Sequence, residues 1–212
     1  MDLFSPLTEE PVNILPQDGE VNYYGEIISR SDSYYFFEQL LKCIDWRADQ
    51  ALIFGKLIYT KRKVAWYADT HDGQNYSYRY SGITRDSLPF TKLLFTIKSI
   101  VEDRTSETYN ACLLNLYHNG EEGMAWHSDG EKELKKEGAI ASLSFGAERK
   151  FAFKHKASKQ VISLPLPPGS LLVMKGTTQQ HWLHRLPPTK KVLSPRINLT
   201  FRTIESEQLK SY

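Results

Sequence analysis

This sequence predicts a mainly β protein with flanking helices, folded as a double-stranded β-helix, or jelly roll. Two observations carry the prediction. From Tyr109 onward apolar residues recur with period two, in short runs punctuated by Gly, Pro and Asn, the pattern of an all-β sandwich or barrel. Upstream, apolar residues recur at three- and four-residue intervals in two segments, which marks helices that pack one face on a sheet.

Taken in order, residues 1–20 are rich in Pro, Glu, Asp and Asn and have no periodicity. They read as a loosely packed lead-in with one short strand around Val12 to Leu15. Val21 to Ile28 is a second short strand. Tyr34, Phe37, Leu40, Leu41 and Ile44 form the stripe of a first helix, capped within Ser31-Asp32-Ser33 and ending near Asp45. Ala51 to Tyr59 reads as one strand, followed by Lys61-Arg62-Lys63. Aromatic and basic residues then interleave through Trp66-Tyr67, a polar loop with Gly73, and Tyr76 to Tyr80. A second helix is expected from an N-cap at Ser87, with Pro89 tolerated in its first turn. Leu93, Leu94, Ile97, Ile100 and Val101 are its stripe, and it ends near Arg104. The strands that follow are Ala111 to Tyr117, Gly123 to Ser128, Ala139 to Phe145, Lys150 to Lys154, Val161 to Leu166, Ser170 to Met174, Gln180 to Arg185 and Arg196 to Thr203.

At 212 residues the chain can bury a substantial core. A formal net charge of +2 demands no polyanionic partner, although the basic residues are clustered. Cys43 and Cys112 are the only cysteines and lie in apolar surroundings, which fits reduced thiols rather than a disulfide framework. No basic-then-apolar leader and no long apolar run is present. A soluble, monomeric, intracellular protein that makes no use of a membrane is expected.

The chemistry starts at Trp126-His127-Ser128-Asp129. In an extended chain residues i and i+2 share a face, so His127 and Asp129 offer a nitrogen and an oxygen side by side. Alone, this pair is a weak signal. His184, in Gln180-His181-Trp182-Leu183-His184, is the candidate third ligand. Two His and one carboxylate that leave other positions open suit non-haem Fe(II). The last strand strengthens the case. Arg196, Asn198, Thr200 and Arg202 share one face, and Ile197, Leu199 and Phe201 the other. Planar arginine forks bind carboxylates bidentately, so two of them on one face suit a small dicarboxylic acid. Asn115 and Tyr117 share a face with Leu113 and complete a polar pocket. A zinc hydrolase would use the same three ligands, but it leaves Arg196 and Arg202 unexplained.

The set Asn115-Leu116-Tyr117, His127-Ser128-Asp129, His184 and Arg196 to Arg202 resembles the AlkB family of Fe(II)- and 2-oxoglutarate-dependent nucleic-acid dealkylases, within it most of all the duplex-DNA repair branch. Ile140 to Phe153 and His181 to Arg202 resemble that family almost continuously. The resemblance covers the chain from about Phe54 to the end and implies a jelly roll of the Fe(II)/2-oxoglutarate dioxygenase type; residues 21–212 are expected to form this one domain, with a nucleotide-recognition part at about 51–86 and a core at about 109–204. It implies His127, Asp129 and His184 as iron ligands, with O2 as second co-substrate. It implies 2-oxoglutarate contacts from Asn115, Tyr117, Arg196, Asn198 and Arg202, with Thr200 on the same wall. Arg196 would take the distal carboxylate, and Arg202 would lie near the one that chelates iron. For the substrate it implies Phe54, before Gly55-Lys56, as the residue filling the gap left by a flipped base. Tyr78 would stack on that base opposite His127, and Glu131 would read its edge. Gly130 stands where relatives in that branch carry a second acidic group. Lys56, Lys61, Arg62, Lys63, Arg149, Lys150, Lys154, Lys156 and Lys159 are candidate phosphate contacts. The implied reaction removes alkyl groups from N1 of adenine and N3 of cytosine in DNA; the alternatives are an RNA demethylase or other 2-oxoglutarate oxygenase of the same chemistry, or a non-catalytic nucleic-acid-binding module. The implied compartment is cytoplasm in a bacterium and nucleus in a eukaryote.

Overall fold

The structure, a computed structural model, describes residues 11–53, 56–69, 77–80 and 83–205, with backbone alone at 51–53, 56–58, 77–80 and 83–85. In chain order the elements are β1 (Val12–Asn13), β2 (Glu20–Glu26), α1 (Arg30–Cys43), β3 (Arg47–Ile53), β4 (Lys56–Ala68), β5 (Ser77–Tyr80), β6 (Ile83–Asp86), β7 (Leu88–Pro89), α2 (Lys92–Thr105), β8 (Ala111–Tyr117), β9 (Met124–His127), β10 (Ile140–Gly146), β11 (Arg149–His155), β12 (Val161–Leu166), β13 (Ser170–Lys175), α3 (Thr178–His181), β14 (Trp182–Leu186) and β15 (Arg196–Arg202).

A large sheet runs β1-β2-β13-β10-β15-β8-β4-β3, with β7 alongside β4; a small one runs β12-β11-β14-β9. Between β8 and β15 the chain passes back and forth between the two sheets. This alternation builds the jelly roll. β5 and β6 pair as a hairpin of their own.

Period two decides where each strand's side chains go. In β15, Ile197, Leu199 and Phe201 are fully buried beneath α1 and α2, together with Leu114, Leu143, Leu40, Leu94 and Ile97. Each such aliphatic or aromatic side chain contributes about 1.5–3 kcal/mol. The alternate residues of β15 point the other way, into the space between the sheets. One end of that space is packed by Leu172, Met174, Phe153, Leu166 and Trp182. The metal site fills its middle.

Four departures from the sequence expectation have a clear local cause. The first helix begins two residues earlier, because Ser29 Oγ accepts from Asp32 N–H at 3.1 Å and returns a bond to Asp32 Oδ2 at 2.7 Å. The second begins at Lys92 rather than after Ser87. Leu88–Pro89 is held extended by parallel pairing with Tyr67 and Ala68, and Thr91 supplies the cap to Leu94 N–H at 3.3 Å. Ala51 to Tyr59 is two strands rather than one, since Ile53 pairs with Lys56. Within Gln180 to Arg185, a helical turn through His181 delays the strand to Trp182.

Candidate metal and co-substrate site

His127 closes β9, and His184 is its cross-strand partner in β14. Their rings stand edge to face with centroids 4.2 Å apart. Asp129 Oδ1 lies 3.9 Å from His127 Nε2 and 4.0 Å from His184 Nε2. The three ligand atoms therefore surround one point, and all lie within 4.8 Å of one another. Ala125 O is 2.8 Å from His127 Nδ1. A carbonyl only accepts, so Nδ1 carries the proton and the Nε2 lone pair is left for a metal. Phe151 stacks on the His184 ring at 5.7 Å.

Asp129 divides its work. Oδ1 faces the two imidazoles, while Oδ2 accepts from Arg202 Nη2 at 3.0 Å. Its backbone N–H donates to Gln179 Oε1 at 2.9 Å. Burial pushes this carboxyl up, but Arg202, then His184 and His127, outweigh it and hold it below the usual carboxylate range. Burial also drives His184 down to about 3. An anionic carboxylate and a neutral imidazole are the forms that bind a metal cation.

The wall opposite comes from the large sheet. Arg196, Asn198, Thr200, Arg202, Asn115 and Tyr117 line one pocket with His127, Asp129 and His184. Arg196 is 2 % exposed and donates to Ser144 Oγ at 2.8 Å. No carboxylate pairs with it among the described residues, and its Nε has no hydrogen-bond partner. Burial lowers its pKa to about 10. Asn115 Oδ1 is likewise buried without a partner. A sealed cation without a counter-anion is costly unless something anionic arrives. A dicarboxylate supplies that charge, so the residues present fit 2-oxoglutarate beside the triad. Asn198 Nδ2 is held by Ser142 Oγ at 2.8 Å and Leu143 O at 3.1 Å, and its Oδ1 accepts from Thr200 at 3.3 Å.

Three expected phosphate contacts are placed elsewhere. Arg62 is buried, ion-paired with Asp49, and its guanidinium lies 5.8 Å from the Tyr117 ring centroid. Arg196 is 5.7 Å from the same ring, so Arg62 borders the pocket from behind instead of facing solvent. Arg149 is buried too; it donates to the carbonyls of Asn119, Gly120, Glu122 and Pro187 and clamps the loops at one end of the site. Lys156 donates to Gln179 O at 2.8 Å and Ser128 Oγ at 3.3 Å. Burial and local polar partners outcompeted water at all three, and composition alone carries no signal of that. Lys61, Lys63, Lys150 and Lys159 are exposed. Lys154 Nζ and Arg185 Cζ approach the Trp126 ring at 4.6 and 4.4 Å, on the face of the small sheet away from His127. Glu131 is half-buried with Oε2 unpartnered. Phe54 lies outside the described residues, as do the side chains of Lys56 and Tyr78. Gln179, Ser142 and Ser144 are site residues that sequence reasoning missed, since each acts across a long chain separation.

A second cluster, Asp18, His155 and His181, has ligand atoms equally close. A neutral imidazole has one lone pair, and in His155 it accepts from Ser158 N–H at Nδ1 over 3.0 Å. That leaves Nε2 as the protonated nitrogen, 3.1 Å from Asp18 Oδ2. The cluster is an acid–imidazole contact rather than a metal site.

The family model of the 2OG-Fe(II) oxygenase superfamily matches residues 20–202. The human DNA oxidative demethylase ALKBH2 is 38 % identical over 192 residues, covering 85 % of this chain and 72 % of its own length. The mouse ALKBH2 is 41 % identical, with coverages of 85 % and 79 %. The mouse alpha-ketoglutarate-dependent dioxygenase alkB homolog 3 is 35 % identical, with coverages of 85 % and 65 %. The solved structure of OsALKBH1 superposes with a TM-score of 0.60 at 14 % identity, covering 91 % of this chain and 100 % of that one; it speaks to the fold. The chain belongs to the 2OG-Fe(II) oxygenase superfamily and, within it, to the AlkB family. It is an Fe(II)-dependent dioxygenase with 2-oxoglutarate and O2 as co-substrates, and its metal triad is His127, Asp129 and His184.

Proposed function

We propose that the protein repairs DNA by oxidative dealkylation of N-alkylated bases, chiefly N1-methyladenine and N3-methylcytosine. The observation that carries this reading is the buried, anion-less Arg196 facing the metal triad from the opposite sheet, in a chain whose relatives include DNA oxidative demethylases. When bound, Fe(II) with O2 and 2-oxoglutarate supplies the oxidation, giving succinate and CO2 as the N-alkyl carbon is hydroxylated.

The chain's own residues do the rest. His127, Asp129 and His184 would hold Fe(II), with their ligand atoms within 4.8 Å of one another. Arg196 binds the far carboxylate of the co-substrate, with Asn115 and Tyr117 beside it. Arg202 holds Asp129 Oδ2, which leaves Oδ1 turned toward the two imidazoles, where it would serve as the iron ligand. His127 is half-exposed, which suits it to contact a flipped base while it ligates. Tyr78 is the proposed opposing stack and Glu131 the proposed reader of the base edge. A damaged base pairs poorly and costs least to extrude, so extrusion itself supplies selectivity. The hydroxymethyl product collapses to the unmodified base and formaldehyde. Residues 21–212 are proposed to act as one domain, a monomer on alkylated DNA. Among the described residues no helix is long and apolar enough to cross a membrane.

The test is incubation with Fe(II), 2-oxoglutarate, ascorbate and an oligonucleotide carrying one N1-methyladenine, read by mass spectrometry. Loss of one methyl group with an equivalent of succinate is expected. Succinate without demethylation of DNA, alongside demethylation of a matched RNA, would overturn the DNA assignment.

A further inference from the structure

We propose that Lys156 is a positioning residue for the iron carboxylate and makes no contact with nucleic acid. It follows β11 directly and is half-buried. Its ammonium bridges Ser128 Oγ at 3.3 Å and Gln179 O at 2.8 Å. Ser128 is covalently joined to both His127 and Asp129. Gln179 in turn holds the Asp129 backbone N–H through its side chain at 2.9 Å. One cation therefore closes a ring: Lys156 to Ser128, along the chain to Asp129, across to Gln179, and back to Lys156.

The same residue steadies the approach to the third ligand. Lys156 N–H donates to His181 O at 2.8 Å. His181 ends α3, a four-residue helix with no side-chain cap bond, too short to hold itself together. β14 starts at the next residue and carries His184. Lys156 thus fixes α3 at Gln179 and at His181, between the Asp129 loop and the His184 strand. No acidic side chain pairs with Lys156 among the described residues, and its donors are directed inward. Lys150 differs: it is exposed at the second position of β11, a placement suited to phosphate.

This inference rests on the metal triad of the proposed function, and the measurements keep the two apart. Fe(II) binding in the presence of 2-oxoglutarate is followed by anaerobic calorimetry for the wild-type protein, Lys156→Met, Lys156→Gln and Lys150→Met. DNA binding is followed over a salt series. Partners that orient metal ligands typically contribute 10–100-fold to affinity. Lys156→Met should therefore lose about tenfold or more in Fe(II) affinity while the salt slope of DNA binding is unchanged. Lys150→Met should keep Fe(II) affinity, and its slope should fall by about one. Lys156→Gln retains an N–H donor without the charge. It should recover part of the Fe(II) affinity at an unchanged slope, and it supplies the same two readings if the Met variant fails to fold. Unchanged Fe(II) affinity in the Lys156 variants, or a slope reduced by about one in either, overturns the assignment. If the wild-type protein itself binds no Fe(II), it is the metal triad that fails.

Discussion

Asp129 shows how much one side chain is asked to do. It is 5 % exposed, it is a metal ligand, and it is the partner of Arg202, itself 3 % exposed. His127→Ala, Asp129→Ala and His184→Ala are each expected to abolish formaldehyde release, because each removes one of three protein ligands. Their stabilities should differ. Asp129→Ala removes the carboxylate to which buried Arg202 Nη2 donates, and breaking a buried pair in this way costs about 3–5 kcal/mol. His127→Ala leaves no charge behind, so in urea melts of metal-free protein Asp129→Ala should be the weaker of the two by a clear margin. Equal midpoints would mean that Arg202 does not depend on Asp129. Arg196 makes a separate prediction. Arg196→Ala should weaken 2-oxoglutarate binding by about 2–5 kcal/mol, the usual loss for a buried charged hydrogen bond, with little change in DNA affinity. Unchanged co-substrate affinity in calorimetry would remove the dicarboxylate argument. The triad and both arginines were legible in the sequence because period two puts ligands and their neighbours on a common face. Gln179 and Ser144 were not legible, because sequence separations of 50 and 52 residues bring them to Asp129 and Arg196.

The strands from β8 onward followed the alternation of apolar residues to within about two residues at their ends. Helix starts were harder, since several Ser and Thr residues competed for the caps. Ser87 and Thr91 both precede the second helix, and tertiary pairing of Leu88 with Tyr67 selected Thr91. This choice is open to measurement. Thr91→Ala should cost about 1 kcal/mol through the lost cap. Ser87 is buried with its hydroxyl unpartnered, so Ser87→Ala should be neutral or stabilising. The reverse order in chemical denaturation would return the cap to Ser87. The β3–β4 pairing escaped the sequence reading for a different reason. Apolar residues stand on both sides of Gly55-Lys56, so the alternation reads through from Ala51 to Tyr59.

Across the whole molecule the site exists only because two sheets meet. The small sheet supplies His127 and His184, and the large one supplies Asn115, Arg196 and Arg202. Neither set has a use without the other, which is why the lone His-x-Asp motif was a weak signal until the last strand was read beside it. For the substrate side, the 51–86 region as the nucleotide-recognition part and Phe54 as its wedge are expectations from sequence. A wedge is needed to keep a base out of a duplex and not out of a single strand, and unstacking costs a few kcal/mol. Phe54→Ala should therefore lose one or more orders of magnitude on duplex N1-methyladenine and far less on the single-stranded form. An equal loss on both, with a large drop in melting temperature, would make Phe54 a core residue, since such truncations cost about 3–5 kcal/mol.

Trp126 is bonded directly to the ligand His127, and its ring is approached by Lys154 and Arg185. An indole one residue from a metal ligand, with two cations against its ring, is expected to act as an optical gauge of metal loading. Its emission should dim as Fe(II) enters and recover on chelation, without any attached dye. The chain has four tryptophans, so the gauge is isolated by difference: Trp126→Phe should lose most of the metal-dependent quenching while still binding Fe(II) by calorimetry. If quenching persists undiminished in that variant, the signal comes from another indole. If it vanishes, occupancy of the active site can be followed in real time by light.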